Sequence, residues 1–325
     1  MKEEIYTSVS DTGNSGMGKG LSVKRANRFF LCYTLLSTAF MFIPVPFLPQ
    51  TWASLVYYII MVIIALAFCR KEGIRLGSAF GFRRVRLLTL LTTVVIYIGM
   101  HQVSHLVSSL TNLLFPSFLE MAGKQLLGGG FWVSFVAVAL IPAFFEEFVV
   151  RGGMVSSYMR TGRLRASVLL TALLFGLMHI NATQFFYSVI MGIVLALLFV
   201  LTDSIWPGIL FHFLNNAMAP LSELLAERFG DEFVQRTIFP LSRGLSDPKS
   251  ALITVISAVV GLLVTVICLY LIARFERSED KLRLCIRGGG GKEKLVTPAL
   301  VISIVILVVL TVALTIAVTI RMQSM

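Results

Sequence analysis

Nine apolar runs, each close to the length needed to cross a bilayer, constrain this chain more than any other feature. They cover residues 29–47, 53–69, 87–107, 131–158, 166–180, 184–201, 204–219, 251–273 and 297–320. Crossing roughly 30 Å of hydrocarbon takes about 20 mainly apolar residues, and in lipid a single segment can satisfy its own backbone only as a helix. The runs therefore predict an all-α fold, a polytopic transmembrane bundle of about nine spans. Composition agrees, because only 14% of residues are charged and 57% are hydrophobic, whereas about a quarter are charged in soluble domains. The segment before the first run carries no signal-peptide cleavage pattern, so the first span is expected to stay attached.

Charge is distributed by side. The 28 Lys and Arg exceed the 17 Asp and Glu, but basic loops are what a polytopic chain uses to orient itself, and nucleic acid is not an expected partner. Twenty-one basic residues fall in the N-terminal tail and in the loops after the second, fourth and eighth spans, against six in the alternate segments. Positive charge stays inside, so a plasma-membrane protein with a cytoplasmic N-terminus and an extracytoplasmic C-terminus is expected. The chain divides into a polar tail (1–28), an N-terminal membrane region (29–130), a polar-residue-bearing core (131–220), an extracytoplasmic amphipathic loop (221–250) and a C-terminal hairpin (251–325). The glycine-rich stretch 287–294 within that hairpin reads as a flexible linker.

Several motifs carry no function. The tail stretch GNSGMGKG, 13–20, approaches a phosphate-binding loop, but Gly20 stands where Ser or Thr would hold magnesium and no strand precedes it. The same letters contain Ser15 in a G-N-S-G pattern, in a polar tail rather than a buried helix. Cys32, Cys69, Cys268 and Cys285 are scattered without a C-x-x-C pair, which gives neither a zinc site nor a disulfide framework. His101 and His105 share a helical face, yet with no carboxylate or thiol near them in sequence they read as packing residues.

Charges inside the fourth span need a reason, since each costs about 2.5–3.5 kcal/mol at a helix centre on insertion scales. In FFEEFVVRGG, 144–153, Glu147 and Arg151 are four apart and face each other, so they are expected to pair. Glu146 is turned about 100° away and left for another task. The fifth span ends in FGLMHI, with Phe175 one turn before His179; the seventh holds HFLNNA, with His212 one turn before Asn216. Counted from the basic side at 1.5 Å per residue, His179 lies roughly 20 Å deep and His212 roughly 13 Å. Glu146 comes level only if its helix runs on past Arg151 to about Tyr158.

E-E-x-x-x-R at Glu146, Glu147 and Arg151, F-x-x-x-H at Phe175 and His179, and H-x-x-x-N at His212 and Asn216, in that order on separate apolar segments, resemble the three motifs of the CPBP family. This family of intramembrane proteases includes CAAX prenyl protease 2 and bacteriocin-processing and immunity proteins. The resemblance covers about residues 131–220. It implies a four-helix catalytic core in which Glu146 and His179 activate water while His212 and Asn216 hold the oxyanion, with Glu147 and Arg151 as structural support.

That chemistry suits the residue types. A carboxylate in low-dielectric surroundings binds protons more tightly than in water, as a general base for hydrolysis requires. If the enzyme used a metal, Glu146, His179 and His212 would be the donors, with zinc the ion; the H-E-x-x-H signature is absent, and the metal-free glutamate reading is the one taken. The substrate is expected to be a peptide or membrane protein cut at or near the bilayer, as a CAAX tail, a peptide leader or a membrane segment. Two other classes use the same residues. A catalytically silent scaffold or immunity protein would keep the fold, and a transporter or proton relay would use intramembrane Glu, His and Arg, although no paired hydropathy halves appear.

Overall fold

A computed structural model describes residues 20–42, 49–73, 76–115, 130–237, 244–291 and 293–323. Most of the tail, including all of the 13–20 motif except Gly20, lies outside them. Among the described residues, nine helices of 15 residues or more follow the nine apolar runs: α1 Val23–Phe42, α2 Gln50–Lys71, α3 Leu87–Asn112, α4 Phe131–Met159, α5 Leu164–Met178, α6 Ala182–Thr202, α7 Trp206–Phe229, α8 Pro248–Phe275 and α9 Pro298–Gln323. Among the described residues there are no strands, and α2, α3, α4, α6, α8 and α9 are long and apolar enough to span a bilayer by length and composition. The fold is a polytopic helical bundle. Its middle is α4 and α6, whose most apolar windows are 56% and 61% buried, while α9 is peripheral at 17%.

Packing follows the small residues. Gly99 on α3 meets Gly261 on α8, and a Cβ at Gly99 would stand 2.6 Å from the Gly261 carbonyl oxygen. Without a hydrophobic drive between lipid-bathed helices, such close backbone approach supplies the dispersion that holds them. Gly192 on α6 lies against Ala172 on α5 in the same way.

Helix α4 is not uniform. Its α-helical turns are interrupted by two π-helical stretches, Phe135–Leu140 and Phe148–Val155, and the Glu146–Glu147 pair sits in the α-helical segment Ile141–Glu147 between them. Such wide turns accompany functional sites often enough to draw attention to this helix.

Three expectations are revised. The segment after α2 is more than a basic loop: Ala79 and Phe80 are buried, and the Phe80 ring stacks on Phe148 of α4 at 4.2 Å and an interplanar angle of 4°. The amphipathic segment expected from 221 begins as a helix continuous with α7, which runs through Pro220 to Phe229 and stops at Gly230, whose φ of +87° glycine alone adopts readily. A short helix, Asp231–Thr237, follows, and 238–243 lie outside the described residues. The stretch 287–294 is tied down: Arg163 donates to the Glu293 carbonyl at 3.4 Å, and Gly291 lies against the Thr161 carbonyl. It is preceded by an amphipathic helix, Glu279–Arg287, absent from the sequence reading.

The basic segments share one end of the bundle. Asp203, after α6, receives Lys281 at 2.6 Å and faces Arg83 at 3.7 Å, and Arg25 pairs with Glu72 at 3.0 Å. Asn27 on α1 donates to the Leu295 carbonyl at 2.8 Å and accepts from the Tyr158 hydroxyl at the end of α4. Lys2, Lys19, Arg75, Lys124, Arg243 and Lys292, counted in the charge asymmetry, lie outside the described residues.

Candidate active site

Helix α4 presents its two carboxylates to different surroundings. The Glu147 side chain is 0% exposed and pairs with Arg151 at 2.8 Å, as their spacing predicts. Arg151 also donates to the Gly192 carbonyl at 3.3 Å, and its guanidinium lies 4.3 Å from the centroid of the Phe175 ring. Those contacts account for a fully buried guanidinium, which would be prohibitive unpaired. Glu146, by contrast, is 13% exposed and lines a cavity of about 350 Å³. Of the pair, only Glu146 can reach a water molecule.

The same cavity is lined by His179, His212 and Asn216. His212 Nε2 stands 4.0 Å from Glu146 Oε2. Its other nitrogen, Nδ1, lies 3.1 Å from Glu147 Oε1. A carboxylate only accepts, so Nδ1 carries the proton in that bond, and Nε2 can donate only when the ring holds both protons. Asn216 accepts from Asn215 Nδ2 at 3.2 Å through Oδ1, which leaves its NH₂ group to donate elsewhere.

His179 lies just beyond the end of α5, in the turn to α6. Its Nδ1 is 2.8 Å from the Phe175 carbonyl, one of the carbonyls orphaned at a helix end. A carbonyl cannot donate, so Nδ1–H is fixed and Nε2 is the lone-pair nitrogen of the neutral ring. Ile180 takes a left-handed φ of 50°, and Asn181 caps α6 by accepting from Thr183 N at 3.0 Å. Phe175 packs edge-on to both His179 and His212, at 5.1 and 5.5 Å between centroids.

Sequence reading missed two neighbours. The Tyr58 hydroxyl on α2 donates to Glu146 Oε1 at 3.2 Å. The available signal was weak, a Tyr57–Tyr58 pair at the fifth and sixth positions of the second apolar run. Gly208 on α7 is the second: a Cβ there would stand 2.6 Å from Glu147 Oε2. Gly152 and Gly153 differ, since a Cβ at Gly152 would meet Phe80 at 2.7 Å while at Gly153 contact would be ordinary. His101 packs near Tyr97, at 6.0 Å between rings, and neither it nor His105 lines the cavity.

Among the described residues, no three His, Cys, Asp or Glu side chains are arranged to ligate one ion. His179 and His212 each donate through Nδ1, the way a metal-binding imidazole is usually held, which leaves Nε2 for an ion; Glu146, His179 and His212 are the residues that would hold zinc if the enzyme used one.

Residues 128–218 match the family model described as type II CAAX prenyl endopeptidase Rce1-like. No curated protein and no solved structure matches the chain. The matched segment runs from just before α4 to Met218 in α7 and contains Glu146, Glu147, Arg151, Phe175, His179, His212 and Asn216. This segment, less than a third of the chain, is similar to the type II CAAX prenyl endopeptidases, and it is carried by a polytopic helical bundle.

Proposed function

We propose that this protein hydrolyses a peptide bond at or near the membrane by a glutamate mechanism without a metal, with a CAAX-type peptide as the first substrate class to test. The observation that carries the proposal is the convergence of Glu146, His179, His212 and Asn216 on one cavity, with Glu146 Oε2 4.0 Å from His212 Nε2. Water in that cavity would give one hydrogen bond to Glu146 and one to the Nε2 lone pair of His179. Its oxygen attacks the scissile carbonyl carbon as Glu146 takes the proton. The oxyanion accepts from Asn216 Nδ2 and, when the ring is doubly protonated, from His212 Nε2. Glu146 then returns the proton to the departing amine nitrogen as the C–N bond breaks, which leaves a new amine and a new carboxylic acid; the acid then loses water's second proton to the amine or to solvent.

Glu147 has a distinct part in this scheme. Its carboxylate accepts the Nδ1 proton of His212 and so stabilises the doubly protonated ring, as a buried aspartate does in a serine protease triad. The proposed orientation puts the basic end of the bundle in the cytoplasm of a plasma membrane.

The test is cleavage of a farnesylated CAAX peptide and its unprenylated form by the full chain in proteoliposomes, with and without a chelator. Glu146→Gln and His179→Ala should abolish turnover with folding retained, and Asn216→Ala should lower kcat about 10²–10³-fold, the usual effect of removing one oxyanion donor. Unchanged turnover in Glu146→Gln would overturn the mechanism; loss with chelator, restored by zinc, would overturn its metal-free part.

A further inference from the structure

Outside the family segment, one side chain touches the proposed base directly. Tyr58 is on α2, 70 residues before the matched region begins at 128, and its hydroxyl donates to Glu146 Oε1 at 3.2 Å. The ring is fixed by neighbours: it lies edge-on to Tyr57 at 5.0 Å and to Phe145 at 6.0 Å between centroids. Tyr57 is itself tied to α1, its hydroxyl 2.6 Å from Ser37 Oγ. An α1–α2 aromatic wall thus delivers one phenol to one oxygen of the base.

That contact removes an ambiguity. The terminal torsion of a glutamate is broad and nearly two-fold, so an untethered carboxylate offers either oxygen to the water. Oε1 is engaged by Tyr58, and the other oxygen, Oε2, is the one 4.0 Å from His212 Nε2. We infer that Tyr58 is a positioning residue of the hydrolytic centre, holding Glu146 through Oε1 so that Oε2 alone takes the proton from water. The inference rests on the mechanism proposed above. It makes the N-terminal helices part of the enzyme: the family segment supplies the reacting groups, and α2 supplies the group that aims the base.

The experiment compares Tyr58→Phe, Tyr58→Leu and Glu146→Gln in the full chain in proteoliposomes, reading kcat and KM on the CAAX peptide together with thermal unfolding. Tyr58→Phe keeps the ring packing and deletes only the hydroxyl. It should lower kcat about 10- to 100-fold, the value of a hydrogen bond to a charged group, with KM within two-fold and the melting temperature close to that of the parent. A merely structural ring would leave Tyr58→Phe at the parental kcat and impair only Tyr58→Leu, and that result overturns the inference while leaving the mechanism intact if Glu146→Gln is inactive. An active Glu146→Gln overturns both. Should Tyr58→Phe fold poorly, fluorinated tyrosines at position 58, which keep ring and hydroxyl, decide the matter: a graded change in kcat with phenol acidity supports the inference, and a flat series overturns it.

Discussion

Glu147 serves two partners through one oxygen. Its Oε1 accepts from Arg151 at 2.8 Å and lies 3.1 Å from His212 Nδ1, while Oε2 is buried without a hydrogen-bond partner against Gly208. Removing Arg151 leaves an uncompensated buried carboxylate, so Arg151→Met should cost about 3–5 kcal/mol in reversible unfolding from mixed micelles. Pairing it with Glu147→Leu should recover most of that stability, since two apolar residues can replace a buried ion pair with little loss. Turnover should stay low in the double variant, because His212 has lost the carboxylate that holds its Nδ1 proton. Recovered turnover would show that Glu147 is a packing residue only. The Glu147–Arg151 half of this arrangement was legible in the sequence, because an i,i+4 spacing is local. The His212 half was not, since it joins positions 65 apart across two helices, and nothing in either motif states which carboxylate the ring meets.

At the scale of elements, the depths of the two motifs reconcile only through the segment after α2. Counted from the ends of the helices, His212 appeared shallower than Glu146 and His179. The start of α7 is tied to that segment, since Ile205 N donates to the Gly81 carbonyl at 2.9 Å and Ser204 Oγ to the Arg83 carbonyl at 2.6 Å, which puts it level with the Phe80 loop. Gly152 marks the same level on α4 by its contact with Phe80. From that level Glu146 is six residues on and His212 seven from Ile205, roughly 9 and 10 Å at 1.5 Å per residue. The loop therefore sets the register between base and imidazole. Gly152→Leu should push Phe80 away, shift α7 and lower kcat at least about tenfold, with an overpacking cost of about 1–3 kcal/mol. Parental activity in that variant would dissociate the loop from the site. The sequence hid this because GSAFGFRR reads as a basic connection; its docking on α4 depends on a ring-on-ring contact with Phe148 and on the missing Cβ at Gly152, neither of which has a periodic signal.

For the molecule as a whole, alternating charge was the legible feature, and the packing gives it a geometric counterpart. Asp203 collects Lys281 and Arg83, Arg163 reaches Glu293 and Arg25 reaches Glu72, so segments far apart in sequence meet at one end of the bundle. An odd number of misread spans would have put some of these partners at opposite ends. The proposed orientation makes that end cytoplasmic, and single cysteines test it. Ser246 and Arg287 are exposed and lie beyond opposite ends of α8. Of the native cysteines nearby, Cys285 does not interfere, since burial pushes its thiol up to about 12 and maleimide reacts with the thiolate. Ser246→Cys should therefore react with a membrane-impermeant maleimide on intact cells, and Arg287→Cys only after permeabilisation. The reversed pattern would invert the protein in its membrane and move the mouth of the cavity to the other compartment, while labelling of both on intact cells would mean that α8 does not cross.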